Sequence, residues 1–153
     1  MSPTYASADR VSRDELVDFI RTRHHATLVT HRSDGRLQMS PVAAGIDQEG
    51  RIVVSTYPQR AKAANIRRNP AVSLVVHSDD WDGPYVQVDG TAEVIDLPGA
   101  IEPLVDYYRG IAGEHPDWDE YRTAMHRQGK SLIRVRIEDW GPVATGGFPP
   151  PQD

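Results

Sequence analysis

Four cations fall within nine positions, Arg60, Lys62, Arg67 and Arg68, in a chain of formal net charge −5. Arginine offers a planar fork of donors and lysine a compact charge, and both suit phosphate or carboxylate. The stretch that holds them, Ser55–Pro70, reads STYPQRAKAANIRRNP. Ser55, Thr56 and Asn65 add neutral hydrogen-bonding groups. Ala61, Ala63 and Ala64 favour a helix and let a backbone approach closely. Asn69-Pro70 stops that helix, because the residue before a proline is pushed out of the α region. The apolar run Arg51–Val54 in front reads as a buried strand. The expected unit is strand, tight turn and short helix, with Arg60 and Lys62 where free backbone N–H groups also favour an anion. Arg67 and Arg68 fall at the helix end, where cations offset the dipole and face water. Arg60 and Lys62 are therefore expected to bind an anion, and Arg67 and Arg68 to be solvated surface.

Other chemistry is thinly represented. The chain has no cysteine, which excludes disulfides, thiolate metal sites and cysteine nucleophiles. Its six histidines, His24, His25, His31, His77, His115 and His126, form no pair of the HExxH kind, and no metal site is expected. There is no GxGxxG, no Walker loop and no GxSxG, so no catalytic residue is named. His77 ends the apolar stretch AVSLVVH just before the polar loop Ser78–Gly83. A ligand contact and a structural hydrogen bond weigh equally there. Trp118 reads as a packing anchor. Trp140 suits packing on a flat ligand or on a neighbouring subunit. Of the adjacent Tyr107 and Tyr108, periodicity gives the core to Tyr108.

The elements that must position these groups follow in order. Ser12 and Glu15 form a capping box for a helix ending near Arg23. Ala26–His31, Arg36–Ile46 and Arg51–Thr56 read as an antiparallel meander, joined through the turn signals Asp34-Gly35 and Asp47–Gly50. Ala71–His77 and Tyr85–Ile95 are further strands, and Gly90 within the second marks a bulge or a close backbone approach. A helix from about Gly99 to Gly113 tolerates Pro103 only in its first turn. Asp117–Glu120 reads as a second capping box, and Ser131–Ile137 as the last strand. Six or so alternating strands close into a barrel to remove their edges. The fold class is mainly β with flanking helices, a six-stranded antiparallel barrel.

The 153 residues suit one domain, with 1–11 and 143–153 expected to be flexible. A hydrophobic content of 39% is low for a self-sufficient core and favours a partner chain. No signal peptide or membrane span is legible, so a soluble, cytoplasmic protein with no membrane partner is expected. The acidic balance argues against a nucleic-acid partner.

The segments ATLVTHRSDGRLQMSPV (26–42), RAKAANIRRNP (60–70), SLVVHSDDWDGPYVQVDGTAEV (73–94) and YYRGIAGEHPDWDEYRTAM (107–125) carry a resemblance. From the Ala26 strand to Trp140 the chain resembles the split β-barrel flavin and deazaflavin oxidoreductases, the pyridoxamine-phosphate-oxidase-like superfamily. Within it, the chain looks most like the actinobacterial group that uses coenzyme F420. The resemblance implies a homodimer with cofactor grooves at the subunit interface. It implies that Arg60, Lys62 and their neighbours Ser55, Thr56, Ala61 and Asn65 grip the phosphate-bearing tail. It implies that Gln38, Met39, Ser40, Pro41 and Val42 line the deazaflavin ring, and that His77, Ser78 and Asp79 form another wall.

The expected activity is hydride transfer from reduced coenzyme F420 to an activated double bond of a conjugated small organic molecule. An FMN-dependent oxidase and a non-catalytic F420 carrier are the alternatives. Pro41 has no N–H and cannot continue a ladder. That prompts the expectation that the Ser40 and Val42 N–H groups turn toward the ring instead of a neighbouring strand.

Overall fold

The computed structural model describes residues 4–152. The two ends, expected to be flexible, are paired with each other: β1 (Ser7–Asp9) runs antiparallel to β8 (Val143–Thr145). Each end supplies the backbone partners that the other lacks, and Trp140 Nε1 donates to the Val11 carbonyl at 2.9 Å beneath them.

Helix α1 (Arg13–Arg21) opens with the capping box expected from Ser12 and Glu15. The Glu15 N–H donates to Ser12 Oγ, and the Ser12 N–H donates to Glu15 Oε1 at 3.0 Å. Its buried face, Leu16 and Ile20, joins the main core. Strands β2 (His25–His31), β3 (Leu37–Ile46) and β4 (Ile52–Thr56) follow as the expected meander. After helix α2 (Ala61–Arg68) come β5 (Ala71–Val76) and β6 (Val86–Ile95), and β7 (Ser131–Trp140) completes the set. The six strands β2 to β7 close into an antiparallel barrel in the order β2-β3-β4-β7-β6-β5. Ala26, Leu28, Leu74, Val76, Val88 and Val135 point inward at the period of two that a pleated strand imposes.

Gly90 is a close approach as expected. The register shifts between Asp89 and Gly90, and a Cβ at Gly90 would clash with the Arg136 carbonyl oxygen. Helices α3 (Ile101–Ala112) and α4 (Trp118–Gln128) pack outside the barrel, burying Leu104, Val105, Tyr121 and Met125 against Val53 and Leu132. Pro103 lies in the first turn of α3. The second capping box is only half formed. Asp117 accepts from the Glu120 N–H, but its own N–H donates to His115 Nδ1 at 2.9 Å, so Glu120 has no donor to reach back to.

The assignment of Tyr108 alone to the core is corrected: Tyr107 and Tyr108 are each half-buried. Tyr108 joins a cluster with His115, Trp118 and Tyr121, where Trp118 is the packing anchor expected of it. The Tyr107 hydroxyl donates to the Ala43 carbonyl of the barrel at 2.8 Å.

Candidate functional site

The barrel is split where β3 and β4 part. Their ladder holds only Ala44–Ile46 against Val54–Ile52. Beyond Ala44, β3 stays with β2 while Ser55 and Thr56 stay with β7. Tyr107 sits at the apex of the split, on Ala43; burial pushes its phenol up, and the hydrogen-bonding groups of Ser55 oppose that.

One wall is the outer half of β3. The bonds Ala44 N–H to His24 O and Arg32 N–H to Arg36 O, each 2.8 Å, fix the parity of the β2–β3 ladder. Antiparallel pairs alternate, so Ser40 and Val42 exchange hydrogen bonds with Leu28 and Ala26. This corrects the expectation that their N–H groups are free. The backbone groups of Met39 and Pro41 turn instead to the side that β4 has left. Pro41 thus sits where its missing N–H costs the ladder nothing. Side chains divide the same way. Gln38, Ser40 and Val42 face inward, and Leu37, Met39 and Pro41 face out, with Met39 61% exposed. The Ser40 Oγ is buried with no hydrogen-bond partner among the described residues. It lies on the interior side, away from the open edge.

The other wall is the segment leading into α2. Arg60 is the N-cap residue of α2 and provides no side-chain cap, so the N–H groups of Ala61 and Lys62 have no partner among the described residues. Ala61 is exposed and Lys62 half-buried. A third cation joins them. Thr56 pairs with Ser131, so the next residues along, Tyr57 and Lys130, become neighbours. Lys130 Nζ lies 4.2 Å from the centre of the Tyr57 ring, and Arg60 Cζ lies 5.7 Å from it. Among the described residues, Arg60, Lys62 and Lys130 take part in no ion pair. Burial, then Arg60 and Lys130, pull the Lys62 pKa down. A cluster that discourages its own charging is chemically suited to an anion.

The remaining predicted residues divide. Asn65 is buried and donates to Thr30 Oγ1, which donates to Gln38 Oε1, both at 3.1 Å. These two amides form an internal relay under α2. Thr56 is buried, and its hydroxyl donates to the Tyr57 carbonyl. Ser78 Oγ donates to the Pro84 carbonyl at 2.5 Å and accepts from Arg23 Nε at 3.1 Å, which fixes the loop before β6. Asp79 is 84% exposed and lies 3.6 Å from His25 Nδ1. His77 Nε2 lies 3.3 Å from Thr27 Oγ1, and its ring stacks on Trp81 at 6.1 Å. His77 thus joins Thr27 and Pro41 on the outer barrel face, around a cavity of about 440 Å³. Tyr57, Lys130 and Trp81 are candidates that the sequence reading did not assign.

Comparisons with known proteins agree with this architecture. The family model described as pyridoxamine 5'-phosphate oxidase matches residues 12–144. A conserved hypothetical protein from Mycobacterium tuberculosis has a similar structure at 22% identity, with TM-score 0.74, covering 92% of this chain and 89% of its own. A structure described as an F420 reductase is similar at 22% identity and TM-score 0.61, covering 80% of this chain and 94% of its own. An FMN-binding protein related to pyridoxamine 5'-phosphate oxidase, from Nostoc punctiforme, is similar at 12% identity and TM-score 0.62, covering 86% and 83%.

Proposed function

The chain belongs to the pyridoxamine 5'-phosphate oxidase family, and from that premise we propose that it is a cytoplasmic, homodimeric reductase dependent on coenzyme F420. Its substrate is a conjugated small organic molecule with an activated double bond. The observation that carries the reading is the trio Arg60, Lys62 and Lys130 at the mouth of the barrel split, two of them over the Tyr57 ring and none with a carboxylate partner among the described residues. A phosphate-bearing tail fits that trio, because it relieves the repulsion and accepts from the N–H groups of Ala61 and Lys62. The exposed edge of β3 at Met39 and Pro41, with His77 beyond it, would hold the ring. When bound, the cofactor supplies the hydride chemistry, and the protein supplies binding, orientation and electrostatics.

The homodimer reading is supported by the outward apolar side chains of β3, with Leu37 48% and Met39 61% exposed. A second chain covering them gains hydrophobic stabilisation in proportion to the area removed from water. Light scattering at micromolar concentration should give twice the chain mass, and a stable monomer with cofactor present would overturn the dimer. Among the described residues no helix is long and apolar enough to cross a membrane.

The FMN reading has its own support, in the similar structure described as FMN-binding. Titration with each cofactor separates them. Tighter uptake of F420, followed by oxidation of the reduced form in the presence of a conjugated acceptor, supports the reductase. Tighter uptake of FMN with oxygen consumption supports the oxidase. Uptake of F420 without turnover leaves a carrier, and uptake of neither overturns the reading.

A further inference from the structure

The geometry points to a separate binding pocket for a planar aromatic molecule, neutral or cationic, between the terminal ribbon and the loop before β6. This pocket is the substrate site of the reductase. The assignment of its occupant as substrate rests on the function proposed above, but the pocket itself does not. The cavity measures about 960 Å³, within the range that holds a drug-sized ligand. Its floor is the outer face of β5 at Val75 and the residue just before β6, Tyr85. One wall is the loop carrying Trp81 and Asp82. The other is the C-terminal arm at Phe148.

That arm is held in place. The Phe148 N–H donates to the Thr4 carbonyl at 2.9 Å, and the Ala6 N–H donates to the Phe148 carbonyl at 2.8 Å. Gly147, at φ +136°, brings the arm so near that a Cβ there would lie 2.5 Å from the Thr4 oxygen. The Tyr85 N–H and the Ala144 N–H each donate to the other's carbonyl at 2.9 Å, which ties the ribbon to the barrel. The pocket is therefore built by elements that are bonded together.

Three features set the ligand class. The first is aromatic surface left open: Trp81 is 89%, Phe148 64% and Tyr85 42% exposed. Exposed rings facing one cavity offer flat faces for stacking. The second is charge. Asp82 lines the cavity, and among the described residues its lining has no lysine or arginine. An anion is disfavoured here, whereas the Arg60–Lys62–Lys130 cluster favours one. The third is position. His77 and Trp81, stacked on each other, also line the 440 Å³ cavity at Thr27 and Pro41. A molecule in the larger pocket therefore abuts the edge assigned to the cofactor ring, where a substrate must lie to receive a hydride.

The test uses the full chain without cofactor. Calorimetry with 2-naphthol, planar and neutral, should give saturable binding, and naphthalene-2-sulfonate should bind at least fivefold more weakly. Trp81→Ala and Phe148→Ala, both at exposed side chains, should each weaken 2-naphthol at least fivefold and leave binding of inorganic phosphate unchanged. Equal binding of the two probes, or unchanged binding in Phe148→Ala, overturns the pocket. So does dissociation of a dimer by 2-naphthol, which would make a second chain the occupant. A cofactor that fully expels 2-naphthol overturns a separate substrate site. Loss of cofactor uptake with 2-naphthol binding intact would refute the reductase reading alone.

Discussion

The two ends of α2 carry the same residue types and meet opposite surroundings. At the C-terminal end, Arg67 grips Asp96 with both carboxylate oxygens, at 2.8 and 2.6 Å. Arg68 donates to the His31 carbonyl at 2.7 Å and to Asn65 Oδ1 at 2.9 Å. Neither is the merely solvated cation that the sequence suggests. At the N-terminal end, Arg60 and Lys62 have no carboxylate partner among the described residues, and the fold brings Lys130 against them. One end uses its charge to fasten α2 across the barrel, and the other keeps its charge available. A cluster of cations in a sequence is therefore two different objects, separated only by what the rest of the chain brings near.

The largest effect that could break this contrast is on cofactor affinity. Lys62→Ala should weaken binding of the phosphate-bearing cofactor by about 1–3 kcal/mol, the cost of a lost charge-assisted hydrogen bond. Arg67→Ala should leave it nearly unchanged. Equal losses in a titration of the two variants would erase the distinction between the ends. Next comes Lys130→Met, with a loss of about 1 kcal/mol on the same scale. No loss there would confine the anion site to α2.

A smaller effect concerns the fastened end. The Ser131 hydroxyl is the main cause that holds the Asp96 carboxyl below its ordinary value; desolvation opposes it, and Arg67 adds to the lowering. A carboxylate with a lowered folded pKa stabilises above its unfolded pKa and loses that contribution as pH falls through the folded one. Asp96→Asn should cost about 0.5–1 kcal/mol at neutral pH, discounted for the exposure of this pair. The difference from the parent should shrink below about pH 4, the ordinary value of the group. Denaturant melts of both proteins across that range check it.

The smallest effect concerns a charged form that the fold disfavours, whereas the charged form of Asp96 is favoured. Lys62 has a lowered pKa, so the unfolded chain binds more protons. The cofactor-free protein should therefore gain stability as pH rises between that depressed value and about 10.4. Lys62→Met should lack this gain, and a saturating phosphate-bearing ligand should suppress it. An identical pH slope in parent and variant would show that neither burial nor the neighbouring cations disfavour the charge on Lys62.

Much of the fold is legible because its causes are local. Ser12 and Glu15 close a box within one turn, Pro70 ends α2, and Gly113 at φ +80° ends α3. Strand β3 shows where legibility stops. Its alternation is plain, but its larger apolar residues Leu37 and Met39 face outward and its polar Gln38 and Ser40 face in. Hydrophobic pattern alone cannot say which face is the core when the outer face is itself apolar. The missing N–H of Pro41 made Ser40 and Val42 look like groove donors, whereas ladder alternation gives their backbone groups to β2.

The sequence by itself determined the four helices and six barrel strands, their closure into a barrel and the candidacy of Arg60 and Lys62, but not the paired terminal strands β1 and β8. Period-two alternation, capping and helix-start chemistry each act within a few residues. Only the tertiary structure decided which cations are free, because their partners arrive from distant segments. Asp96 lies 29 positions beyond Arg67 and takes its charge. Lys130 meets Tyr57 because Thr56 pairs with Ser131. Register between strands far apart in the chain is set by packing of the whole barrel, and no window of sequence holds that information.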